Sequence, residues 1–592
     1  MSGVITALQK ASRAGALSET AVQFAGLLER QDPEADSSVL LAGALAAERA
    51  LAGDVCIDLA SIAGSIAWEG DSDGDLLAPD FSIWQQALRR CSLVGDGGHL
   101  SPLVLTDDGR LYLYRYYALE CRLAEAIGRH ARRVSHAVDA LSLAEGLDTF
   151  FSDDPGSADQ RAAASKAVDQ HLLVISGGPG TGKTATVVRI LALVQQLTSI
   201  RAERILLCAP TGKAAARLRE VLANAEEILP EALQRVPQPV TVHRLLGVRP
   251  GQRPRYDAAR PLPCDLLVLD EASMVDLSLM TSLFDAIPQE ARLILLGDRD
   301  QLSSVEAGAV LGDICHAADQ GTLPEALITL RHNWRFSSAS ALGGFASAVR
   351  EGDISQVTTL LESADPTELE FVAMSDTSGI DTLLADRVIP HFADLERLAL
   401  EGAPAETLLA RRDEAMVLCA HRRGPRGVGD INMRIQAGLR RAPRSSSDSA
   451  VFVGMPLIVM RNDSVLGLFN GDIGIVVPDR DNPGGMQAVF QDALGEIRAI
   501  SLSRLPEYEA AFAFTVHKAQ GSQSSAVTLI LPEKVSPILS RELVYTGATR
   551  AQDSLQVWGS SEVLSAAIER SARRPTGLAR RLRGTWTPEE SG

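Results

Sequence analysis

Four shortages bear on the function class before any motif is considered. The seven cysteines (Cys56, Cys91, Cys121, Cys208, Cys264, Cys315 and Cys419) are odd in number and include no CxxC pair. That argues against a disulfide framework and against zinc or iron–sulfur ligation. No apolar run approaches the roughly 20 residues needed to cross a bilayer. The opening MSGVITALQKASRAGAL also lacks the apolar stretch of a secretory signal, so the cytoplasm is the expected compartment. Basic residues are in deficit, with 57 Lys+Arg against 75 Asp+Glu and a net charge of -18. Taken alone, that balance argues against a nucleic-acid partner, because phosphate contacts need cations. Aromatics are only 4% of the chain, so extensive base stacking is not evident from composition.

What is present points elsewhere. A chain of 592 residues exceeds what one core organises, and three to five domains are expected. Apolar residues at 46% and charged residues at 22% are ordinary for a globular protein. Charge distribution matters more than its sum. Two stretches run against the acidic background: Arg422, Arg423, Arg426, Arg434, Arg440, Arg441 and Arg444, then Arg570, Arg573, Arg574, Arg580, Arg581 and Arg583. A solvated face or loop explains such a run as readily as a ligand does.

Residues 1–120 are mostly helical by pattern and carry no catalytic motif. Val39–Leu51 suits a buried helix, and Pro102–Leu105 with Leu111–Tyr114 around Asp107-Asp108-Gly109 suit a hairpin. From about residue 158, apolar strands, Gly-rich turns and amphipathic helices alternate. The strands are Leu172–Ser176, Ile205–Ala209, Leu266–Leu269 and Leu293–Leu296. A second series begins near Leu327 and resumes at Met416–Ala420, Ala513–Val516 and Val527–Leu531. Such alternation predicts α/β lobes on parallel sheets, at 121–322 and 323–592. Short β-like runs at about 445–508 predict a small β-barrel inserted in the second lobe.

Gly177-Gly178-Pro179-Gly180-Thr181-Gly182-Lys183-Thr184 matches G-x-x-x-x-G-K-[ST], entered by a strand and left by a helix. Glycines let backbone N–H groups turn inward and cradle phosphates at the helix N-terminus. Lys183 would reach the β- and γ-phosphates of ATP, and the Thr184 hydroxyl would bind Mg²⁺. Leu266–Leu269 ends in Asp270-Glu271, which suits Asp270 to the metal's water shell and Glu271 to accepting the proton of the attacking water. A third strand ends in Gly297-Asp298-Arg299-Asp300-Gln301-Leu302, where Gln301 could bond both γ-phosphate and water. Thr211, Lys213, Thr515, His517, Lys518 and Gln520 sit at strand C-terminal ends, where open sheets bind ligands, and suit phosphate contacts that position a strand.

Together, and in this order, the motifs resemble the RecD-like branch of superfamily 1 helicases. Ala158-Asp159-Gln160-Arg161, Ala209–Leu218, Thr241–Gly247 with His243, Asp270–Asp276 and Gly297–Leu302 resemble motifs of its first RecA-like lobe. Asn333-Trp334-Arg335-Phe336, Ala513–Gln523 and Val544–Ala551 resemble those of its second. The resemblance implies that Gln160 reads adenine, that His243 joins the strand contacts, and that Arg335 and Arg550 reach from the second lobe as arginine fingers. It makes the inserted barrel SH3-like. Gly247–Tyr256, within 247–263, is similar to the family's duplex-splitting pin, or is a plain surface hairpin.

The N-terminal segments Val55–Leu59, Pro102–Leu105 and Leu111–Tyr117 are similar to the branch that works within the RecBCD complex, exodeoxyribonuclease V. No helix-hairpin-helix repeat marks residues 1–120 as the free-standing branch. The complexed branch implies RecB and RecC partners, a bacterial cytoplasm, duplex-end and single-stranded DNA as ligands, 5′-to-3′ movement, and roles in double-strand break repair and recombination. No further acid cluster with a lysine suits a nuclease, which is expected in a partner. A free-standing helicase is the alternative. An ATP-gated clamp is disfavoured by the intact Glu271, Gln301, Arg335 and Arg550.

Overall fold

A computed structural model of the chain describes all residues except 1–2, 69–75, 132–137, 226–234, 250, 324, 336–339, 375–378, 441–450, 464, 480–481, 483, 493–494 and 586–592. Pro250 of the pin-like segment, Phe336, Arg441, Arg444 and the first residues of the expected barrel lie outside the described residues.

The N-terminal unit starts with helices at Gly3–Arg13, Glu19–Gln31 and Ser37–Leu51. The third is apolar on every side, and Val39 through Ala47 are all buried, as their composition predicts. Asp36 caps it by accepting from Ser38 N at 2.8 Å. Strands β1 (Cys56–Asp58), β2 (Val94–Gly95), β3 (Leu103–Leu105) and β4 (Arg110–Leu113) form a sheet in the order β1-β4-β3-β2. The expected hairpin is β3–β4, with Leu103 opposite Leu113 and Gly109 turning at φ +82°.

The first lobe is a six-stranded, wholly parallel sheet. Its strands are β5 (Leu172–Gly177), β6 (Ile205–Ala209), β7 (Val240–Thr241), β8 (Leu266–Leu269), β9 (Arg292–Gly297) and β10 (Leu327–Leu330), in the order β10-β5-β9-β8-β6-β7. The continuous Leu/Ile/Val runs follow from burial on both faces, since helices cover each side of a parallel sheet. β5, β8 and β9 are buried at every position. One expectation is corrected here. The strand at Leu327 does not open the second lobe; it pairs with β5, Leu327 opposite Val174, and forms the edge of the first sheet.

The second lobe has β11 (Leu369–Ala373) and β12 (Ala415–Cys419), then an inserted antiparallel sheet of β13 (Pro456–Val459), β14 (Ile473–Pro478), β15 (Met486–Gln491), β16 (Ile497–Ser501) and β17 (Tyr508–Ala510). Parallel strands β18 (Ala513–Thr515), β19 (Ser524–Ile530) and β20 (Ala551–Gly559) complete the lobe in the order β11-β20-β19-β12-β18. The inserted strands run β16-β15-β14-β13-β17, and β16 and β17 are not paired with each other among the described residues. In the pin-like segment, Asp257 and Arg260 form an isolated antiparallel bridge.

The basic C-terminal stretch starts at the end of a second-lobe helix, with Arg570, Arg573, Arg580 and Arg583 exposed, but Arg574 and Arg581 are drawn into contacts with other parts of the chain. The helix Leu578–Thr585 returns to the first lobe, where Leu578 and Leu582 are buried in one core with Leu123, Ile127 and Ile314. Its anchor is Glu120, 1% exposed, on the helix Tyr114–His130. Glu120 accepts from Arg581 Nε at 2.7 Å, Tyr112 Oη at 3.1 Å, Thr576 Oγ1 at 3.1 Å and Gly577 N at 3.1 Å. Arg574 donates to Glu306 O at 2.9 Å, and Arg580 pairs with Asp108 at 2.7 Å. Removing one partner of a buried, hydrogen-bonded pair costs more than the pair is worth intact. Glu120→Ala is therefore expected to lower stability by about 3–5 kcal/mol, read by denaturant unfolding; a loss under about 1 kcal/mol would show that the tail is not an anchor.

Candidate functional site

The C-terminal ends of the first lobe's strands face a cleft that is closed by second-lobe segments preceding β19 and β20. A cavity of about 360 Å³ is lined from the first lobe by Gly178, Lys183, Thr184, Asp270, Glu271 and Gln301, and from the second by Gln523 and Arg550. The segment carrying Arg335 completes it.

The phosphate cradle follows β5 directly. Gly180 and Gly182 sit at φ +85° and +80°, which L side chains avoid. The loop is also crowded: a Cβ on Gly180 would stand 2.5 Å from Asn333 Oδ1, and one on Gly178 would stand 2.7 Å from Tyr545 Oη. Lys183 Nζ donates to the carbonyls of Gly177 and Gly178, the latter at 3.1 Å, which aims the ammonium over the cradle. Lys183→Ala is expected to weaken nucleotide binding tenfold or more, since hydrogen bonds to charged groups are worth about 1.5–3 kcal/mol. Equilibrium titration with a fluorescent nucleotide checks this, and unchanged affinity would refute the cradle.

Beside the cradle, Gln160 donates through Nε2 to Thr181 O at 3.4 Å, while its Oε1 is buried with no hydrogen-bond partner among the described residues. A buried, unsatisfied acceptor costs about 1–3 kcal/mol and fits a purine amino group. Trp334, half exposed, lies against Gly182 and packs edge-on with His332 at 4.4 Å between centroids. An aromatic face there suits a base.

Two carboxylates follow β8. Thr184 Oγ1 lies 3.4 Å from Asp270 Oδ2. Burial, and then the neighbouring Glu271 charge, push the Asp270 carboxyl up to about 6. Glu271 holds φ 51° and ψ 42°, a left-handed conformation shared among non-glycine residues by Arg426 alone within the described residues. Such strain costs of order 1–3 kcal/mol and clusters at functional sites.

Gln301 donates to Asp298 Oδ2 at 3.0 Å, and Tyr545 Oη from the second lobe donates to the same oxygen at 3.1 Å. Next to it, Leu302 N donates to Thr546 Oγ1 at 2.9 Å, and Gln520 Nε2 donates to Leu302 O at 2.7 Å. The loop after β9 is thus clamped by second-lobe groups, so motion of that lobe acts on Gln301.

The two expected fingers differ. Arg550 is 2% exposed and immediately precedes β20 of the second lobe. Its guanidinium donates to Thr546 O at 3.0 Å, Ser522 O at 3.2 Å and Thr549 Oγ1 at 3.4 Å. Arg335 does not cross from the second lobe. Its segment follows β10 and is tied to the cradle by Asn333 Nδ2 to Pro179 O at 3.0 Å and Trp334 N to Gly180 O at 2.8 Å. Burial, then the charges of Arg217 and Arg550, push Arg335 down to about 10. Three guanidiniums crowding one cavity fit a polyanion.

The residues expected to grip a strand are not all open to it. Thr211 caps the helix Gly212–Asn224 by accepting from Ala214 N, and His243 is exposed. Thr515 caps Lys518 N, Lys518 Nζ meets Met460 Sδ at 3.0 Å, and burial pushes His517 down. The Lys213 stem is exposed, but its ammonium donates to Ser522 Oγ at 2.6 Å and is pushed down to about 8 by its enclosure. Gln520 is buried on Leu302. In this structure, Lys213 and Gln520 hold lobe to lobe. Arg217 and Trp334 lie within the recognised motifs, and the structure adds both to the cavity wall. The signal for Arg217 was available: Ala214, Arg217 and Val221 form one helical stripe that lines the cavity.

Three family models match the chain: the RecBCD enzyme subunit RecD N-terminal domain over residues 13–112, an AAA domain over 160–307 and a UvrD-like helicase C-terminal domain over 510–557. With two parallel-sheet lobes closing on one nucleotide cleft, they define an ATP-dependent DNA helicase of superfamily 1. RecBCD enzyme subunit RecD of Mycolicibacterium smegmatis is 39% identical over 93% of this chain and 94% of that protein. The Mycobacterium tuberculosis subunit is 40% identical over 99% and 97%. The ATP-dependent RecD2 DNA helicase of Deinococcus radiodurans is 31% identical over 81% of this chain, but that match spans only 59% of the helicase. The chain belongs to the RecBCD enzyme subunit RecD family.

Proposed function

We propose that this chain is the 5′-to-3′ motor subunit of a RecBCD-type complex in the bacterial cytoplasm, with RecB and RecC as partners. Its ligands are duplex ends and single-stranded DNA, and its processes are double-strand break repair and recombination. A partner supplies the nuclease. The observation that carries the motor is the position of Arg550: it leaves the second lobe and lines the cavity that holds Lys183, Asp270 and Glu271 of the first. The complexed reading is supported by relatives matched over 94–97% of their length, against 59% of the free-standing helicase.

In the mechanism, Gln160 Oε1 accepts from the adenine amino group and Trp334 covers the base. Gly177–Gly182 and Lys183 hold the phosphates. Thr184 and Asp270 would hold Mg²⁺, which when bound neutralises phosphate charge. Glu271 takes the proton of the attacking water, Gln301 orients that water, and Arg335 and Arg550 spread the charge that develops on the transferred phosphoryl group. Because Tyr545, Thr546 and Gln520 clamp the Asp298–Leu302 loop, closure around ATP and reopening after hydrolysis move the lobes as units. Thr515, His517, Lys518, Thr211 and His243 contact the strand in this scheme, and Lys213 and Gln520 join when the lobes part. Differential grip in the two states then becomes a step.

The test is ATPase and unwinding by the purified chain on duplexes with a 5′ or a 3′ overhang, with and without the two partner subunits. Unwinding from the 5′ overhang alone, rising with partners, is the expected result. Robust unwinding unaffected by partners would assign the chain to the free-standing class, and ATPase indifferent to DNA would overturn the motor.

A further inference from the structure

Behind the Asp298–Leu302 loop lies a second cavity of about 670 Å³, larger than the nucleotide cleft and within the roughly 300–1,000 Å³ typical of ligand sites. Four parts of the chain build it: the N-terminal sheet, the first lobe, the second lobe and the C-terminal tail. Its wall carries eight arginines against five carboxylates, in a chain of net charge -18. The arginines include Arg299, Arg350, Arg541, Arg573, Arg580 and Arg583.

Local pairing absorbs only part of this charge. Arg299 pairs with Asp319, Arg350 with Glu351, and Arg110 and Arg580 share Asp108. Arg541, however, donates to the carbonyls of Ile568 at 3.0 Å and Glu569 at 3.5 Å, and carbonyls neutralise nothing. Arg573 and Arg583 are exposed and have no ion-pair partner among the described residues. Among the acids, Asp313 is pushed well up by burial, which removes part of the opposing charge. The cavity floor also holds an unsatisfied group: Ser273 is 8% exposed, and its buried hydroxyl has no hydrogen-bond partner among the described residues.

None of the residues expected to grip the translocating strand lines this space. We propose that it is a second phosphate-binding site, taking adjacent phosphate groups of either a single-stranded DNA backbone or a free nucleotide. Arginine forks suit such groups bidentately, and the Ser273 hydroxyl supplies a further donor. Gln301 lines both this cavity and the nucleotide cleft, so an occupant here bears on hydrolysis. The binding claim stands apart from the direction and partners proposed above.

The test compares the full chain with its Arg573→Gln/Arg583→Gln variant, whose two side chains have no ion pair to lose. Labelled oligothymidylate and ADP are titrated separately across a salt series. If DNA is the source, the variant binds the oligonucleotide severalfold more weakly, with a salt slope shallower by about 1.4, two contacts at roughly 0.7 each for single strands. If free nucleotide is the source, the parent shows two ADP binding events, and the variant keeps only the one that Lys183→Ala removes. Unchanged oligonucleotide affinity and slope, with one ADP event in both proteins, would overturn the proposal. A missing Lys183-dependent event would instead refute the P-loop assignment and leave this cavity unaffected.

Discussion

Exchanging Arg550 for alanine is expected to lower the kcat of DNA-stimulated ATP hydrolysis by roughly 10³–10⁵-fold, with ATP affinity changed far less. The size follows from position. Arg550 is a second-lobe guanidinium buried in the cavity of the first-lobe phosphate cradle. Burial pushes its pKa down while the Glu271 and Asp298 carboxylates act against that, so the site combines low local dielectric with fixed charge. A positive group held there acts on charge that develops during transfer rather than on charge already present in bound ATP. The same side chain has a structural duty, because its loss frees the acceptors at Thr546 O and Ser522 O. Thermal unfolding must therefore accompany the kinetics. Arg550→Lys retains charge but not the fork that meets three acceptors, and should recover little of the rate. A folded Arg550→Ala protein hydrolysing ATP at the parent rate would remove Arg550 from the mechanism.

Glu271→Gln should retain ATP binding and lose roughly 10²–10⁴-fold in hydrolysis, the usual worth of a positioned general base. The substitution is nearly isosteric and keeps the backbone N–H that donates to Asp270 Oδ1 at 2.8 Å. It removes only the capacity to take a proton. The backbone offers a second probe, since Glu271 sits at φ 51°. Glu271→Gly should match the loss of hydrolysis without loss of stability, because glycine occupies that region at no steric cost. Single-turnover ATPase and nucleotide titration read both variants. Normal turnover in Glu271→Gln would place the base elsewhere.

Local pattern carried much of the fold. β6 and β8 match their expected bounds residue for residue, and the β3–β4 hairpin falls where Gly109 places it. The cradle, Asp270, Glu271, Gln301 and Arg550 all line one cavity or its wall. The structure departs from the local pattern where a residue's role depends on a distant partner. The Leu327 strand has a correct strand signal, but its sheet is decided by pairing with Val174, 153 positions away. Arg335 follows that strand and so arrives from the first lobe's side. Gln520 and Lys213 look like solvent-facing phosphate contacts, yet Leu302 and Ser522 capture them across the cleft.

The chain's one-dimensional order carries the chemistry proposed at the phosphate. A glycine cradle, a lysine at a helix start and carboxylates at a strand end work through contacts within a few residues, and such contacts are written in spacing. Tertiary structure decided which lobe presents each arginine, what clamps the Gln301 loop, and where the basic tail goes. Arg581 meets Glu120 only because folding brings residues 461 apart in sequence to 2.7 Å. Charge in a sequence has sign but no address. The address comes from the packing of Leu578 and Leu582, which carries the tail back across the first lobe.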